Sequence, residues 1–170
     1  PFQEAVEAGD EVVCITLSSK LSGCYQSAVI AAEGLPVVLV DSLSVTVGQR
    51  ILVELALQLR DQGLSAQEIG AVLEQEKPHI RLIALLDTLE YLKKGGRLSG
   101  TAAALGTMLN IRPLMGILDG KVLMLGKARG NKKMYAQLKQ MVEEEGIDDA
   151  YPVLLGHAQS MENYEKFKEV

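Results

Sequence analysis

The chain contains no tryptophan, and aromatic residues make up only 4% of its 170 residues. The core must therefore be built from aliphatic and methionine side chains, and few rings are available to stack on nucleobases. The net charge of −5 is also opposite in sign to the basic surface that binds a phosphate backbone. We therefore expect no nucleic-acid partner.

The chain has only two cysteines and no long apolar run. Cys14 lies in an apolar run and Cys24 follows a turn, so a disulfide framework is not expected. No apolar stretch approaches the ~20 residues of a membrane helix, and no signal peptide is visible. We therefore expect a cytoplasmic protein. Because the chain begins at Pro1 without Met and stops at Val170 within a predicted helix, we expect a fragment of a longer protein.

The first part of the chain alternates between strand and helix patterns. Short apolar runs at residues 12–15 and 36–40 predict strands buried on both faces. The i, i+3, i+4, i+7 spacing within residues 45–62 predicts an amphipathic helix that ends at Gly63. Ser65 and Glu68 have the spacing of a capping box for the next helix. This βαβα order predicts an α/β fold with a parallel sheet covered by helices.

The pattern changes after Pro78. Residues 112–118 and 121–125 flank Asp119-Gly120, which predicts a hairpin and hence antiparallel pairing. We predict two domains, residues 1–77 and residues 78–170, the second a further α/β domain with antiparallel strands that is incomplete at its C-terminus. The other elements predicted here are a strand at 80–86, a short helix at 88–94, a helix of small residues at 101–109, a helix capped by Asn131 and a last strand at 152–156.

Hydroxyl groups and a glycine cluster between the first predicted strand and the following helix: Ser18, Ser19, Ser22 and Gly23. In α/β folds, ligand sites lie at the carboxyl edge of the sheet. The start of a helix offers unpaired N–H groups and a partial positive charge, which favour an anion. We interpret these residues as an anion-binding loop, with simple helix capping as the alternative.

No arrangement of side chains typical of catalysis is visible. The sequence has no G-x-S-x-G elbow and no Cys/His/carboxylate cluster with metal-ligand spacing. His157 follows a predicted strand, but no pattern pairs it with a serine. We therefore expect no catalytic residue, no metal and no cofactor.

Two further segments carry basic residues that could bind an anion. Arg97 follows Gly95-Gly96, and is either part of a site or a simple surface arginine. Residues 119–140 contain one acid and six basic residues, which suit a phosphate or an acidic partner; a solvated surface is the alternative. These basic residues are Lys121, Lys127, Arg129, Lys132, Lys133 and Lys139.

Five ordered segments together resemble the DegV family of bacterial proteins, which includes the fatty-acid-binding subunits of fatty acid kinase. They are SSKLSGCYQS at 18–27, VDSLSVTVG at 40–48, TLEYLKKGGRLSG at 88–100, MLNIRPL at 108–114 with DGK at 119–121, and KARGNKK at 127–133. The resemblance runs nearly from end to end.

This resemblance implies a protein that holds a long-chain fatty acid between two domains, for lipid transport or for presentation to a kinase. The serine loop and a threonine from an N-terminal T-S-x-P segment would hold the carboxylate. Ser22 is the first choice for that contact, followed by Ser19 and Ser18, with Gly23 beside them. Arg97 would lie near the mouth of the site.

The resemblance also implies partners and limits. Arg129 and Lys132 would serve a kinase partner or an acyl-phosphate, and a transient contact with a membrane surface is compatible with such a carrier. The threonine segment is absent from these 170 residues, so residues 1–170 alone are expected to retain less ligand. The alternative functions are a phosphoryl- or acyl-transfer enzyme that uses the serine loop, and a regulatory interaction module.

Overall fold

The computed structural model describes residues 1–98 and 111–168 and contains two compact units. The first unit comprises Pro1–Arg81 together with Ile117–Lys121, and the second comprises Leu82–Gly116 and Val122–Val170. The tip of the predicted hairpin therefore belongs to the first unit, which the sequence did not indicate. The predicted domain boundary between residues 77 and 78 stays a prediction, and the helix predicted at 101–109 lies outside the described residues.

Helices and strands follow the alternating order expected of an α/β protein. In chain order they are α1 (Phe2–Glu7), β1 (Val12–Thr16), α2 (Cys24–Ala31), β2 (Val37–Asp41), α3 (Thr46–Asp61), α4 (Ala66–Glu76), a 3₁₀ turn (Lys77–His79), β3 (Leu82–Leu85), α5 (Glu90–Lys94), β4 (Ile111–Leu118), β5 (Lys121–Arg129), α6 (Asn131–Glu145) and α7 (Met161–Phe167).

The first unit is built on a parallel pair of strands. β1 and β2 run in register from Val12 opposite Val37 to Thr16 opposite Asp41, which confirms the predicted parallel pairing. Side chains alternate between the two faces of a strand, so Val13 and Ile15 share one face. That face packs on an aliphatic core to which α3 and α4 contribute; its buried members are Val40, Leu52, Ile69 and Leu73.

Local sequence signals set the ends of the helices of this unit. Gly63 follows the C-cap of α3 and has a φ of +88°, so the helix ends where this glycine predicts. Ser65 is the N-cap of α4: its hydroxyl accepts from the Glu68 N–H, and the Glu68 carboxylate accepts from the Ser65 N–H at 2.8 Å. The predicted capping box is therefore confirmed.

The second unit contains an antiparallel sheet in the order β3-β4-β5. Asp119 and Gly120 connect β4 to β5 with φ of +49° and +76°, the two positive values of a type I′ turn. α6 packs on this sheet through Met134 and Leu138, which are buried with Leu114. The predicted hairpin is confirmed.

Two expectations in the second unit are wrong. Residues 152–156 form no strand, because this apolar run finds no backbone partner among the described residues and Val153 is 63% exposed. Asn131 does not cap α6. The N-cap is Gly130, and Asn131 is the first helical residue, whose amide donates to the Asn163 side chain at 3.3 Å.

The capping box makes the stability of the first unit depend on pH. The Ser65 hydroxyl and N–H lower the pKa of Glu68, so the carboxylate stabilises the folded state above the unfolded pKa. We expect Ser65→Ala to reduce the free energy of unfolding by about 1 kcal/mol at pH 7. The loss should shrink as the pH falls through the folded pKa of Glu68. Chemical denaturation at several pH values measures both effects.

Gln67→Ala is the control, since Gln67 is exposed in the same first turn. Equal stability losses in the two variants would contradict the role of the capping box.

Candidate functional site

The serine loop, residues 18–23, joins the carboxyl end of β1 to the N-terminus of α2. Gly23 is the N-cap of α2 and has no side chain that could cap the helix, while the Ser22 hydroxyl accepts from the Cys24 N–H at the first helical residue. The first turn contains no acidic residue, and the first helical hydrogen bond runs from Ser27 N to Gly23 O at 2.9 Å. The N–H groups before Ser27 therefore lie at a helix end with a partial positive charge and no carboxylate of its own.

Ser18 anchors the loop. Its side chain is fully buried, and its hydroxyl donates to the Gly120 carbonyl at 2.7 Å and accepts from the Lys20 N–H at 3.2 Å. Its backbone N–H donates to Ser44 O at 2.8 Å. A serine hydroxyl has one proton to donate, and here a carbonyl accepts it. Ser18 therefore holds the loop in place and has no proton left for a ligand in this arrangement.

A second loop supports the first from the neighbouring strand. The Asp41 Oδ1 atom accepts from the N–H groups of Ser19 and Leu43, each at 3.1 Å. Ser42 is buried and its hydroxyl bridges to Ser44, donating to the Ser44 carbonyl and accepting from the Ser44 N–H. The acidic side chain beside the loop is thus occupied by backbone donors, which reduces its repulsion of a nearby anion.

Ser22 and Ser19 are the more accessible hydroxyls. Ser22 is half-buried; its hydroxyl accepts from the Cys24 N–H at 3.3 Å and donates to Cys24 Sγ at 3.1 Å. Sulfur is a weak acceptor, so a carboxylate oxygen would compete well for this proton. Ser19 is exposed, and its hydroxyl has no partner among residues 1–98 and 111–168.

The hairpin tip contacts the serine loop within the first unit. A Cβ atom at Gly120 would lie 2.5 Å from Ser18 Oγ and 3.1 Å from both Leu43 and Lys20. Only glycine leaves room for this approach while also adopting a positive φ. The Asp119-Gly120 pattern predicts a turn, and no local signal links Gly120 to the loop.

Sequence comparison identifies the family. A family profile described as "Uncharacterised protein, DegV family" matches residues 1–170. The chain belongs to the DegV family. A DegV domain-containing protein from Clostridium acetobutylicum is 37% identical over 162 residues, which cover 94% of this chain and 58% of that protein.

Solved structures of DegV proteins are also similar. A DegV family protein from Thermus thermophilus, described as fatty-acid-binding, has a TM-score of 0.76 and 35% identity over 85% of this chain and 52% of that one. A DegV family protein from Eubacterium eligens loaded with heptadecanoic acid has a TM-score of 0.81 and 25% identity, covering 99% of this chain and 63% of that one. The chain therefore spans little more than half the length of these relatives.

The other residues that the DegV resemblance selected lie in the second unit. Arg97 is exposed, and its Nη1 donates to the Gly95 carbonyl. Arg129 ends β5, and Lys132 lies in the first turn of α6; both side chains are exposed. The part of the motif at 99–100 and the segment at 108–110 lie outside the described residues.

The basic segment lacks the ion pairs that several other basic residues of this DegV chain make. None of the six basic residues of the segment forms an ion pair in the described part of the chain, whereas Arg50, Lys94 and Lys166 each pair with an acid four residues away. Two of the six, Lys132 and Lys133, lie at the N-terminal end of α6, where cations are unfavourable for the helix dipole. Their positive charge therefore lacks an evident role in folding.

Groups suited to catalysis or metal binding are not assembled in the described residues. They contain no cluster of three or more His, Cys, Asp or Glu side chains able to hold a metal ion. His157 Nδ1 accepts from the Ser160 N–H at 3.4 Å, and its ring lies 4.9 Å from that of Tyr164. Among these residues, no helix is both long and apolar enough to span a bilayer.

Gly120→Ala tests the contact between the hairpin tip and the serine loop. The turn holds position 120 at a positive φ, which costs a residue with a Cβ about 1–2 kcal/mol. The new Cβ must also displace Ser18 Oγ, and this overpacking costs roughly 1–3 kcal/mol more. We expect the free energy of unfolding of the Gly120→Ala variant to fall by the sum of both costs. Denaturant titration measures it.

Gly34→Ala is the matched control, because Gly34 has φ of +74° but no atom within 4 Å of a new Cβ. It should show the backbone cost alone. A Gly120 variant no less stable than the Gly34 variant would rule out a tight contact.

Proposed function

We propose that the protein is a carrier that binds a long-chain fatty acid and holds its carboxylate with the serine loop. The observation that carries this proposal is the N-terminus of α2, where the N-cap Gly23 has no side chain and the weakly bonded Ser22 hydroxyl lies beside the first helical N–H, after the carboxyl end of a parallel strand. DegV relatives described as fatty-acid-binding or as loaded with heptadecanoic acid support the ligand class.

We propose different roles for the loop residues, and their hydrogen bonds support this division. Ser22 donates to the carboxylate, because its proton now rests on a weak sulfur acceptor. Ser19, whose side chain is exposed, supplies a second hydroxyl. The Ser18 hydroxyl holds the loop in place through its hydrogen bond to the Gly120 carbonyl. Gly23 has no side chain, so it leaves the helix end accessible to the ligand.

The energetics suit a lipid with a small polar head. Burial of each CH₂ group is worth ~0.8 kcal/mol, so a sixteen-carbon tail supplies roughly 10 kcal/mol before the costs of binding are subtracted. The head group then needs only a few hydrogen bonds of modest strength. Hydroxyls and backbone N–H groups provide these without a buried cation. Arg97 is proposed for the mouth of the site.

We favour a binding subunit over an acyl- or phosphoryl-transfer enzyme. A nucleophilic serine needs a base that accepts its proton. The Ser18 hydroxyl donates to a carbonyl and the Ser22 hydroxyl to a thiol sulfur, so neither is activated in this arrangement. The chemistry would then belong to a kinase partner, docked through Arg129 and Lys132 of the basic segment.

Ser22→Ala in the full-length protein tests the carboxylate site. We expect palmitate affinity to fall by ~1–2 kcal/mol, because one hydrogen bond to a charged group is lost. The stability of the lipid-free protein should hardly change. Titration calorimetry measures the affinity, and mass spectrometry of organic extracts shows whether fatty acid co-purifies.

Ser27→Ala, which removes an exposed hydroxyl from the same helix, is the control and should bind palmitate normally. Loss of stability with unchanged affinity in Ser22→Ala would make Ser22 a helix-capping residue only. Absence of fatty acid from the extracts, together with no palmitate binding, would reject the proposed function.

Arg129→Ala tests the partner surface. We expect fatty-acid affinity to be retained and acyl-phosphate formation with an added fatty acid kinase to fall at least tenfold, since a charge-assisted pair with phosphate or carboxylate is lost. Arg129→Lys should recover only part of the activity, because an ammonium lacks the two-pronged geometry of a guanidinium.

Arg60→Ala serves as the charge-matched control, as Arg60 is exposed and pairs with its neighbour Asp61. Normal acyl-phosphate formation with the Arg129→Ala variant would show that this segment is an ordinary solvated surface.

A further inference from the structure

Thr16 carries a buried hydroxyl with no partner. The residue is only 8% exposed, and within the described ranges its Oγ1 atom is the one buried side-chain oxygen or nitrogen that lacks a hydrogen bond. An unsatisfied buried hydroxyl costs free energy, and valine has the same shape without that cost. The hydroxyl therefore needs a reason beyond packing.

The direction of the Thr16 side chain follows from the alternation of β1. Val13 and Ile15 pack on the core formed with α3 and α4, so Val12, Cys14 and Thr16 point to the opposite face. α2 contacts both strands but contributes nothing to that core. Thr16 thus faces the side of the sheet that α2 covers.

Thr16 lies at the end of the strand that leads into the serine loop. Thr16 is the last residue of β1, and the chain passes through the short serine loop before α2 returns along the sheet. The N-terminus of such a helix lies near the carboxyl end of the preceding strand. The unpaired hydroxyl therefore lies on the face of the sheet that α2 covers, on the strand residue two positions before the first residue of the serine loop.

The surroundings leave this hydroxyl available as a donor. Opposite Thr16 in the register is Asp41, whose Oδ1 atom already accepts from two backbone N–H groups. Cys14, two residues earlier on the same face, is partly buried, and this burial raises the pKa of its thiol, so the thiol stays neutral. Neither neighbour takes the Thr16 proton.

We propose that Thr16 is a further head-group-binding residue, whose hydroxyl donates a hydrogen bond to the fatty-acid carboxylate at the serine loop, directly or through one buried water. This proposal rests on the proposed function and adds to it a residue on the strand rather than on the loop. A donor on the rigid sheet would hold the carboxylate at a fixed position next to the strand, while the loop hydroxyls donate to it from the loop. Lipid binding then satisfies the group that is left unpaired without ligand.

The test uses Thr16→Val and Thr16→Ser in the full-length protein, with palmitate and its methyl ester as probes. We expect Thr16→Val to weaken palmitate binding about tenfold, the loss of one hydrogen bond to a charged group. Binding of the uncharged ester should change much less. Thr16→Ser should recover most of the palmitate affinity, and the lipid-free Val variant should be at least as stable as the unsubstituted protein.

The outcomes separate this proposal from the proposed function. Unchanged palmitate affinity in Thr16→Val, with a clear loss in Ser22→Ala, overturns the role of Thr16 alone. Equal weakening of palmitate and ester binding by Thr16→Val, or no recovery in Thr16→Ser, also overturns it, because the effect would then be packing. Failure of the unsubstituted protein to bind palmitate rejects the proposed function itself.

Discussion

The hydrogen bond from the Ser18 hydroxyl to the Gly120 carbonyl joins two parts of the first unit that are 102 residues apart in the chain. It is fully buried at Ser18, so its loss would leave a polar group unsatisfied. The position of the serine loop depends on it, since the same hydroxyl also accepts from the Lys20 N–H inside the loop. A glycine with positive φ makes the approach possible.

The polar groups around the loop fall into two sets, one that supports the loop and one that, in the proposed function, binds the carboxylate. Buried or engaged groups, such as Ser18, Ser42 and the Asp41 carboxylate, hold backbone atoms in place. Among the described residues near the loop, the Ser22 hydroxyl is weakly bonded to a sulfur, and the hydroxyls of Ser19 and Thr16 have no partner. A site assembled in this way presents donors to an anion without burying a positive charge, which avoids the large desolvation cost of a cation.

Local patterns predicted much of the fold. The capping box at Ser65, the Gly63 stop and the Asp-Gly turn are encoded within a few residues, and each is confirmed. The run at 152–156 misled the prediction, because an apolar sequence becomes a strand only where another strand offers hydrogen bonds. Asn131 was misassigned for a similar reason, since its side chain bonds to a residue of α7 rather than to its own helix.

The sequence by itself determined the family, the α/β pattern and the position of a hydroxyl-rich loop between a strand and a helix, because these depend on residue order and short-range periodicity. Only the tertiary structure decided which hydroxyls are free to bind. Ser18 and Ser22 look alike in the sequence, yet one donates to Gly120 and the other to a neighbouring sulfur. Thr16 gave no sequence signal at all, since a threonine in a strand is ordinary until its burial and lack of a partner are known. Hydrogen-bond partners distant in the chain make that difference, and local sequence does not encode them.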